Sequence, residues 1–185
     1  MRTPAPSDCL RAARALTGLS QREAAARAKT SQNTLSAAES SRPVLTETNL
    51  LIVDFYLNQG IELLGETAIG KEPLRTGARW VAPQNPDASE EVKKGFRSQK
   101  FPISFRAARA LLEMDQAQVA EAAGLTVAII QNLERGRLSA GPLETLRNWY
   151  EKHGVDFLGW GDAASSNYYG VGVRWKSHGR GTEDV

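Results

Sequence analysis

The chain has 185 residues, 41% hydrophobic and 24% charged, with 23 Lys and Arg against 21 Asp and Glu, a net charge of +2. That length allows one large domain or two small ones, and so small a net charge means that any nucleic-acid reading must rest on local pattern. A single cysteine, Cys9, excludes an internal disulfide framework; no apolar run approaches the roughly 18 residues of a membrane span, no secretory h-region is present, and a cytoplasmic location is the expectation.

Residues 1–7, MRTPAPS, are Pro-rich and expected to be disordered, with Ser7 as an N-cap. A helix is predicted over Asp8–Thr17, with Cys9, Leu10, Ala13 and Leu16 on one face and Gly18 as its stop. Cys9 reads as core on that face, with a redox-sensing thiol as the alternative. Ser20 caps a second helix, and Glu23 three residues on completes a capping box. Ser31 caps a third, ending near Glu39. After a loop containing Arg42-Pro43, a fourth helix fits Glu47–Gln59. Ile61–Leu64 then alternates like a strand, with Ala78–Val81 as its partner.

The sequence then repeats. Arg11-Ala-Ala-Arg-Ala-Leu16 returns 95 positions later as Arg106-Ala-Ala-Arg-Ala-Leu111, and Gln21, Glu39 and Arg42 return as Gln116, Glu134 and Arg137. With a one-residue gap, Ile61-Glu-Leu-Leu-Gly65 is matched by Val155-Asp-Phe-Leu-Gly159; the register is restored at Gly77-Ala-Arg-Trp80 against Gly172-Val-Arg-Trp175. Six consecutive identities, with register kept to the end, imply two copies of one unit. The expected architecture is mainly α: two tandem units, each of four short helices followed by a β-hairpin, at 8–81 and 104–176. Residues 82–103 form a polar linker, either a solvated tether or a phosphate-contacting arm carrying Lys93, Lys94, Arg97 and Lys100. Residues 177–185 are expected to be a disordered tail. Leu63, Leu64, Trp80, Phe157, Trp160 and Trp175 either close each unit's own core or join units, and Asn167-Tyr168-Tyr169 is expected to expose aromatic side chains.

Each copy resembles the Cro/cI-type, XRE-like helix-turn-helix family with its lambda-repressor-like fold. Copy one carries the resemblance in Leu19-Ser-Gln-Arg-Glu-Ala-Ala25, Thr30-Ser-Gln-Asn-Thr-Leu-Ser36, Glu39 and Arg42-Pro43. Copy two carries it in Asp115-Gln-Ala-Gln-Val-Ala120, Leu125-Thr-Val-Ala-Ile-Ile130 and Leu133-Glu-Arg-Gly-Arg137. The resemblance implies a DNA-binding transcriptional regulator, most simply a repressor or autorepressor of a bacterial or mobile-element operon.

A major groove about 12 Å wide admits one helix, whose N-terminal side chains meet base edges. Ser31, Gln32, Asn33 and Ser36 suit that position in copy one. Gln and Asn can pair bidentately with adenine. Gln21 puts an amide beside a positive helix end where a phosphate would dock, and Arg22 and Arg42 offer charge-assisted phosphate contacts. In copy two the corresponding residues are Gln116, Thr126, Val127, Ala128 and Gln131, with Arg135 and Arg137 beyond. That tip is more apolar: Val127 and Ala128 suit thymine methyls, and equally a protein surface. Glu39 and Glu134 are expected to pair with Arg14 and Arg109.

The expected partner is double-stranded DNA, with self-association through the hairpins or as a pseudo-dimer within one chain. The alternative is a regulator that grips a protein through one copy, as an antiactivator or antitoxin does. No enzyme, metal or cofactor is expected, since only two histidines, His153 and His178, are present, with no Cys/His cluster, P-loop or G-x-S-x-G.

Overall fold

Helix α1 (Ser7–Thr17) leads the fold in the computed structural model, which describes residues 3–66, 73–137 and 139–177. It is followed by α2 (Gln21–Arg27), α3 (Gln32–Glu39), α4 (Thr46–Asn58), and strands β1 (Ile61–Glu66) and β2 (Leu74–Trp80). A connecting segment holds α5 (Glu90–Lys93) and β3 (Ser98–Gln99). Four helices and two strands then recur in the same order: α6 (Phe105–Leu111), α7 (Gln116–Ala123), α8 (Val127–Glu134), α9 (Ala140–Lys152), β4 (Val155–Asp162) and β5 (Asn167–Trp175).

Local chemistry sets the helix ends. Ser20 accepts from the Glu23 amide while Glu23 reaches back to Ser20, and Asp115 and Gln118 make the same box at α7. Ser31 and Thr126 cap α3 and α8 by accepting from Thr34 N–H and Ile129 N–H. Ser7 does not cap α1; it lies inside the helix, behind Pro6. Left-handed residues recur at matching places, one glycine in each pair: Gly18 and Glu113, Lys29 and Gly124, Ser41 and Gly136, Arg75 and Gly170, each 95 positions apart.

Residues 3–6, expected to be free, are held. Ala5 donates its N–H to Asn49 Oδ1 at 2.8 Å and accepts from Asn49 Nδ2 at 3.0 Å. Residues 178–185, and with them His178 and the tail expected to be disordered, lie outside the described residues.

The strands form not two separate hairpins but one five-stranded antiparallel sheet. β1 pairs β2, β2 pairs β5, and β5 also pairs β4 and β3. The junction is the β2–β5 register, Gly77 opposite Arg174, Ala78 opposite Val173 and Arg79 opposite Gly172. The outer pairs β1–β2 and β4–β5 each shift register at an equivalent glycine, Gly65 and Gly159.

The core runs through both halves. Leu10, Leu35, Ile52, Tyr56 and Ile61 are fully buried in the first; Leu111, Ile130, Leu146, Tyr150 and Val155 are so in the second. α1 packs directly on α6. The Arg-Ala-Ala-Arg-Ala-Leu motif explains how. Ala12, Ala13, Ala107 and Ala108 are fully buried and let the helices approach closely. Arg11 then crosses to the other half, donating from Nε to the Ala110 carbonyl at 2.9 Å and from Nη2 to the Leu111 carbonyl at 3.4 Å. The same guanidinium donates to the Glu39 carbonyl.

The linker is docked rather than solvated. Lys93, read from sequence as part of either a solvated tether or a phosphate-contacting arm, is buried and bonds Asp162 at 2.7 Å, the two side chains 6% and 7% exposed. Arg97 lies over the Trp80 ring, 4.1 Å from its centroid. β3 covers the start of β5, so Tyr169, expected to be exposed, is buried and stacks on Trp160 with centroids 5.0 Å apart. Cys9 is core: its thiol donates to the Leu64 carbonyl at 3.2 Å, and burial pushes its pKa well up, which suppresses the reactive thiolate.

Candidate nucleic-acid interface

α2 and α3 form a tight helical pair, joined by a turn through Lys29 in the left-handed region. The inner side of α3 is Leu35, Ala38 and Glu39, all buried. Its outer side presents Ser31, Gln32 and Asn33 to solvent at the N-terminal end, with Ser36 half-buried one turn on. Ser31 is also the cap, and its hydroxyl shares a 2.7 Å hydrogen bond with Thr34. Arg22, in the first turn of α2, and Arg42, past the end of α3, are exposed, and Arg42 reaches Ser36 at 3.5 Å.

What fixes the pair is a buried carboxylate. Arg14 donates to both oxygens of Glu39, at 2.6 and 3.0 Å, and Gln21 donates its amide to the same side chain at 2.8 Å. The Glu39 side chain is 2% exposed. A buried carboxylate without partners would be very costly; here a bidentate arginine and an amide compensate it. One network thus ties α1, α2 and α3 into a fixed geometry.

The same bonds recur 95 positions on. Arg109 donates to Glu134 at 2.6 and 3.2 Å, and Gln116 does so at 2.8 Å. The Glu134 side chain is again 2% exposed. Behind each network sits a buried tyrosine, Tyr56 or Tyr150, whose pKa is raised by burial first and by the adjacent glutamate second. α8 presents Thr126, Val127 and Ala128 to solvent, with Asn132 exposed further along and Arg135 and Arg137 exposed past its end.

Two expectations change in this geometry. Gln21 and Gln116, placed by sequence at phosphate-docking positions, instead have their NH₂ groups turned inward to the buried glutamates. Gln131, expected to read bases, donates to Gln116 Oε1 at 3.3 Å and is half-buried. The outward polar set is therefore Ser31, Gln32 and Asn33 on α3, against Thr126, Val127 and Ala128 on α8. This can place hydrogen-bonding amides at one helix tip and methyl groups at the other.

Sequence reasoning offered Trp175 as one residue that could join the units, but missed Asp8 and Thr76, which it meets there. Trp175, at the end of β5, donates its indole N–H to Asp8 Oδ2 at 2.9 Å, and Thr76 donates to the same oxygen at 2.5 Å. Asp8 has no acidic counterpart in the second copy, where Ile103 stands, so the repeat could not reveal it. The β2–β5 junction did carry a signal. Gly77 and Gly172 are equivalent, and a Cβ on either would lie 2.1–2.3 Å from a backbone oxygen of the opposing strand.

Among the described residues no group of three or more His, Cys, Asp and Glu side chains could hold a metal ion. No described helix is long and apolar enough to cross a membrane.

A helix-turn-helix family model matches residues 10–56, from the second turn of α1 to the last turn of α4. No curated protein and no solved structure matches the chain. In residues 10–56 the chain is thus similar to the XRE-type helix-turn-helix family, a family of DNA-binding regulators.

Proposed function

We propose that the chain is a sequence-specific double-stranded DNA-binding regulator, a repressor or autorepressor of a bacterial or mobile-element operon. In this reading it carries two tandem lambda-repressor-like units, with α3 and α8 as the groove helices. The observation that carries it is the solvent-facing Ser31-Gln32-Asn33 tip of α3, set on a helix pair that the Arg14–Glu39–Gln21 network holds fixed. Short polar side chains at a rigid helix tip are what base-edge reading requires. Arg22 and Arg42 serve as phosphate contacts that position without reading sequence. Gln21 and Gln116 act as positioning residues.

Double-stranded DNA from the chain's own upstream region tests this in a mobility-shift assay. Gln32→Ala/Asn33→Ala is expected to abolish the specific shift and leave weak, salt-sensitive binding. An unchanged shift would remove α3 from the groove.

A second reading has one specific support. Val127, 38% exposed, and Ala128 give α8 an apolar tip that also suits a protein partner, as in an antiactivator or antitoxin. Under that reading Val127→Ser/Ala128→Ser would leave the DNA shift intact.

A further inference from the structure

We infer that a single chain acts as a complete internal dimer on one operator with two chemically unequal half-sites: one read at adenines by Gln32 and Asn33, the other at thymine methyls by Val127 and Ala128. This rests on the DNA-binding reading above and deepens it.

The strand register carries the first part. Ala78 and Val173 occupy the same position of the repeat and face each other across β2–β5. On either side, Gly77 faces Arg174 and Arg79 faces Gly172, so each pair is the other with the copies exchanged. That is the pattern of an isologous two-fold interface, in which residue i meets j and j meets i. Here the axis passes between two segments of one chain.

The helices obey the same relation, since α1 packs on α6, its own counterpart. Beneath the contact lies an open cleft of about 700 Å³ lined from both copies, with Arg11 and Arg106, Arg14 and Arg109, and Ser20 and Asp115 as equivalent pairs. Separate subunits would need this surface to associate. In this chain Ala12, Ala78, Ala107 and Val173 are already fully buried in it, so it is unavailable to a second chain.

The exchange that carries β2 onto β5 and α1 onto α6 would carry α3 onto α8, the pairing of groove helices that two half-sites of one operator call for. The contents of the two tips break the symmetry. Gln32 and Asn33 can each make a bidentate pair with adenine N6 and N7. Val127 and Ala128 have no hydrogen-bonding side-chain atom and fit the C5 methyl of thymine. A symmetric palindrome would therefore match one tip and mismatch the other. The covalent link fixes which tip goes to which half, and it makes the second contact intramolecular.

The experiment uses the full chain. Duplexes selected from a randomised pool give the operator, and sedimentation gives the stoichiometry of the free protein and of the complex. The expected result is a monomer that stays one chain per duplex on a motif with two unlike halves. Replacing adenine by 7-deazaadenine in one half should weaken binding about five- to 150-fold, the range of a bidentate contact. In Gln32→Ala/Asn33→Ala that sensitivity should vanish. Replacing thymine by uracil in the other half should weaken binding about fourfold for a buried methyl, and not in Val127→Ala/Ala128→Gly. A symmetric motif, or two chains per operator, would overturn the inference while leaving DNA binding standing. A pool that yields no motif would overturn the DNA reading, and the inference with it.

Discussion

Trp175 and Asp8 meet across 167 positions of sequence, the indole N–H of the last strand bonded at 2.9 Å to a carboxylate in the first turn of α1. The bond joins the end of the second half to the start of the first, beside a sheet whose middle pair is Ala78 and Val173. Asp8 Oδ2 also accepts from Thr76, so α1, β2 and β5 converge on one oxygen.

Trp175→Phe keeps most of the buried ring and removes only the donor. A hydrogen bond to a charged group contributes about 1.5–3 kcal/mol, and about 2 kcal/mol is the expected loss of stability. Urea unfolding would show it as a lower midpoint. A midpoint unchanged within error would mean that Asp8 is satisfied by Thr76 and the Cys9 amide alone.

Gly77→Ala strikes the same junction from the backbone. The added Cβ would lie 2.1 Å from the Val173 carbonyl oxygen and 2.5 Å from Arg174 Cα. Both atoms are backbone of the opposing strand, which has no flexible end to swing away, so the strands must separate locally, at a cost of about 3 kcal/mol. Gly141→Ala is the control, with open space around its Cβ in the first turn of α9; it should be neutral or stabilising by up to about 0.5 kcal/mol. Calorimetry of both variants separates strand collision from a general intolerance of alanine.

Much of this fold was legible because its devices are local. The Ser20–Glu23 box, the Ser31 cap and Gly18 announce helix ends within four residues of sequence, and the structure adds the Asp115–Gln118 box and the Thr126 cap at the equivalent places. The Arg14–Glu39 and Arg109–Glu134 pairs were legible because the same types recur at the same spacing. Contacts without a counterpart in the repeat were not. Lys93 looked like one of several linker cations, because nothing near it in sequence shows that Asp162 lies 69 positions away. Tyr169 looked exposed for a related reason: β3, which covers its strand, is only two residues long and has no pattern of its own. Gln131 is drawn toward α7 because Gln116, on that helix, offers it an acceptor. At the interface, then, periodicity told which helix faces outward, and partner geometry decided which side chains remain free on it.

Acid should loosen the linker. Lys93 and the Ser165 hydroxyl and amide bond the Asp162 carboxylate and hold its pKa down to about 2, against an ordinary value of about 3.9. A depressed carboxylate stabilises the fold at pH above its unfolded value, and that contribution is lost as pH falls through about 4 toward 2. Lys93, whose pKa is raised chiefly by the same bond, keeps its charge throughout that window. Amide protection in α5 and at the β4–β5 turn, taken relative to intrinsic exchange at each pH, should therefore fall between pH 4 and 2. Asp162→Asn should exchange faster at pH 6 and lose that acid step. An acid step that persists in Asp162→Asn would assign it to another carboxylate.

Glu39→Ala and Glu134→Ala offer a comparison that few proteins allow within one chain. Each removes a carboxylate that accepts two bonds from an arginine and one from a glutamine, at distances that agree between the halves within about 0.2 Å. Each leaves a half-buried guanidinium and an amide without their acceptor, at a cost of about 3–5 kcal/mol. Because the lost bonds correspond atom for atom, the two destabilisations are expected to agree within about 1 kcal/mol, inside the usual context spread for equivalent contacts. Their consequences at the surface should differ. In Glu39→Ala, Gln21 loses its side-chain bond to α3, and α3, with Gln32 and Asn33, loses the carboxylate link to Arg14 while the Arg11 bond to the residue 39 carbonyl remains. In Glu134→Ala, Gln116 still holds Gln131, so α7 and α8 keep one direct link. Chemical denaturation gives the two stabilities, and amide exchange in α3 and α8 gives the local effect, with the larger increase expected in α3. Equal exchange in both helices would show that the Gln116–Gln131 bond adds nothing to the second unit.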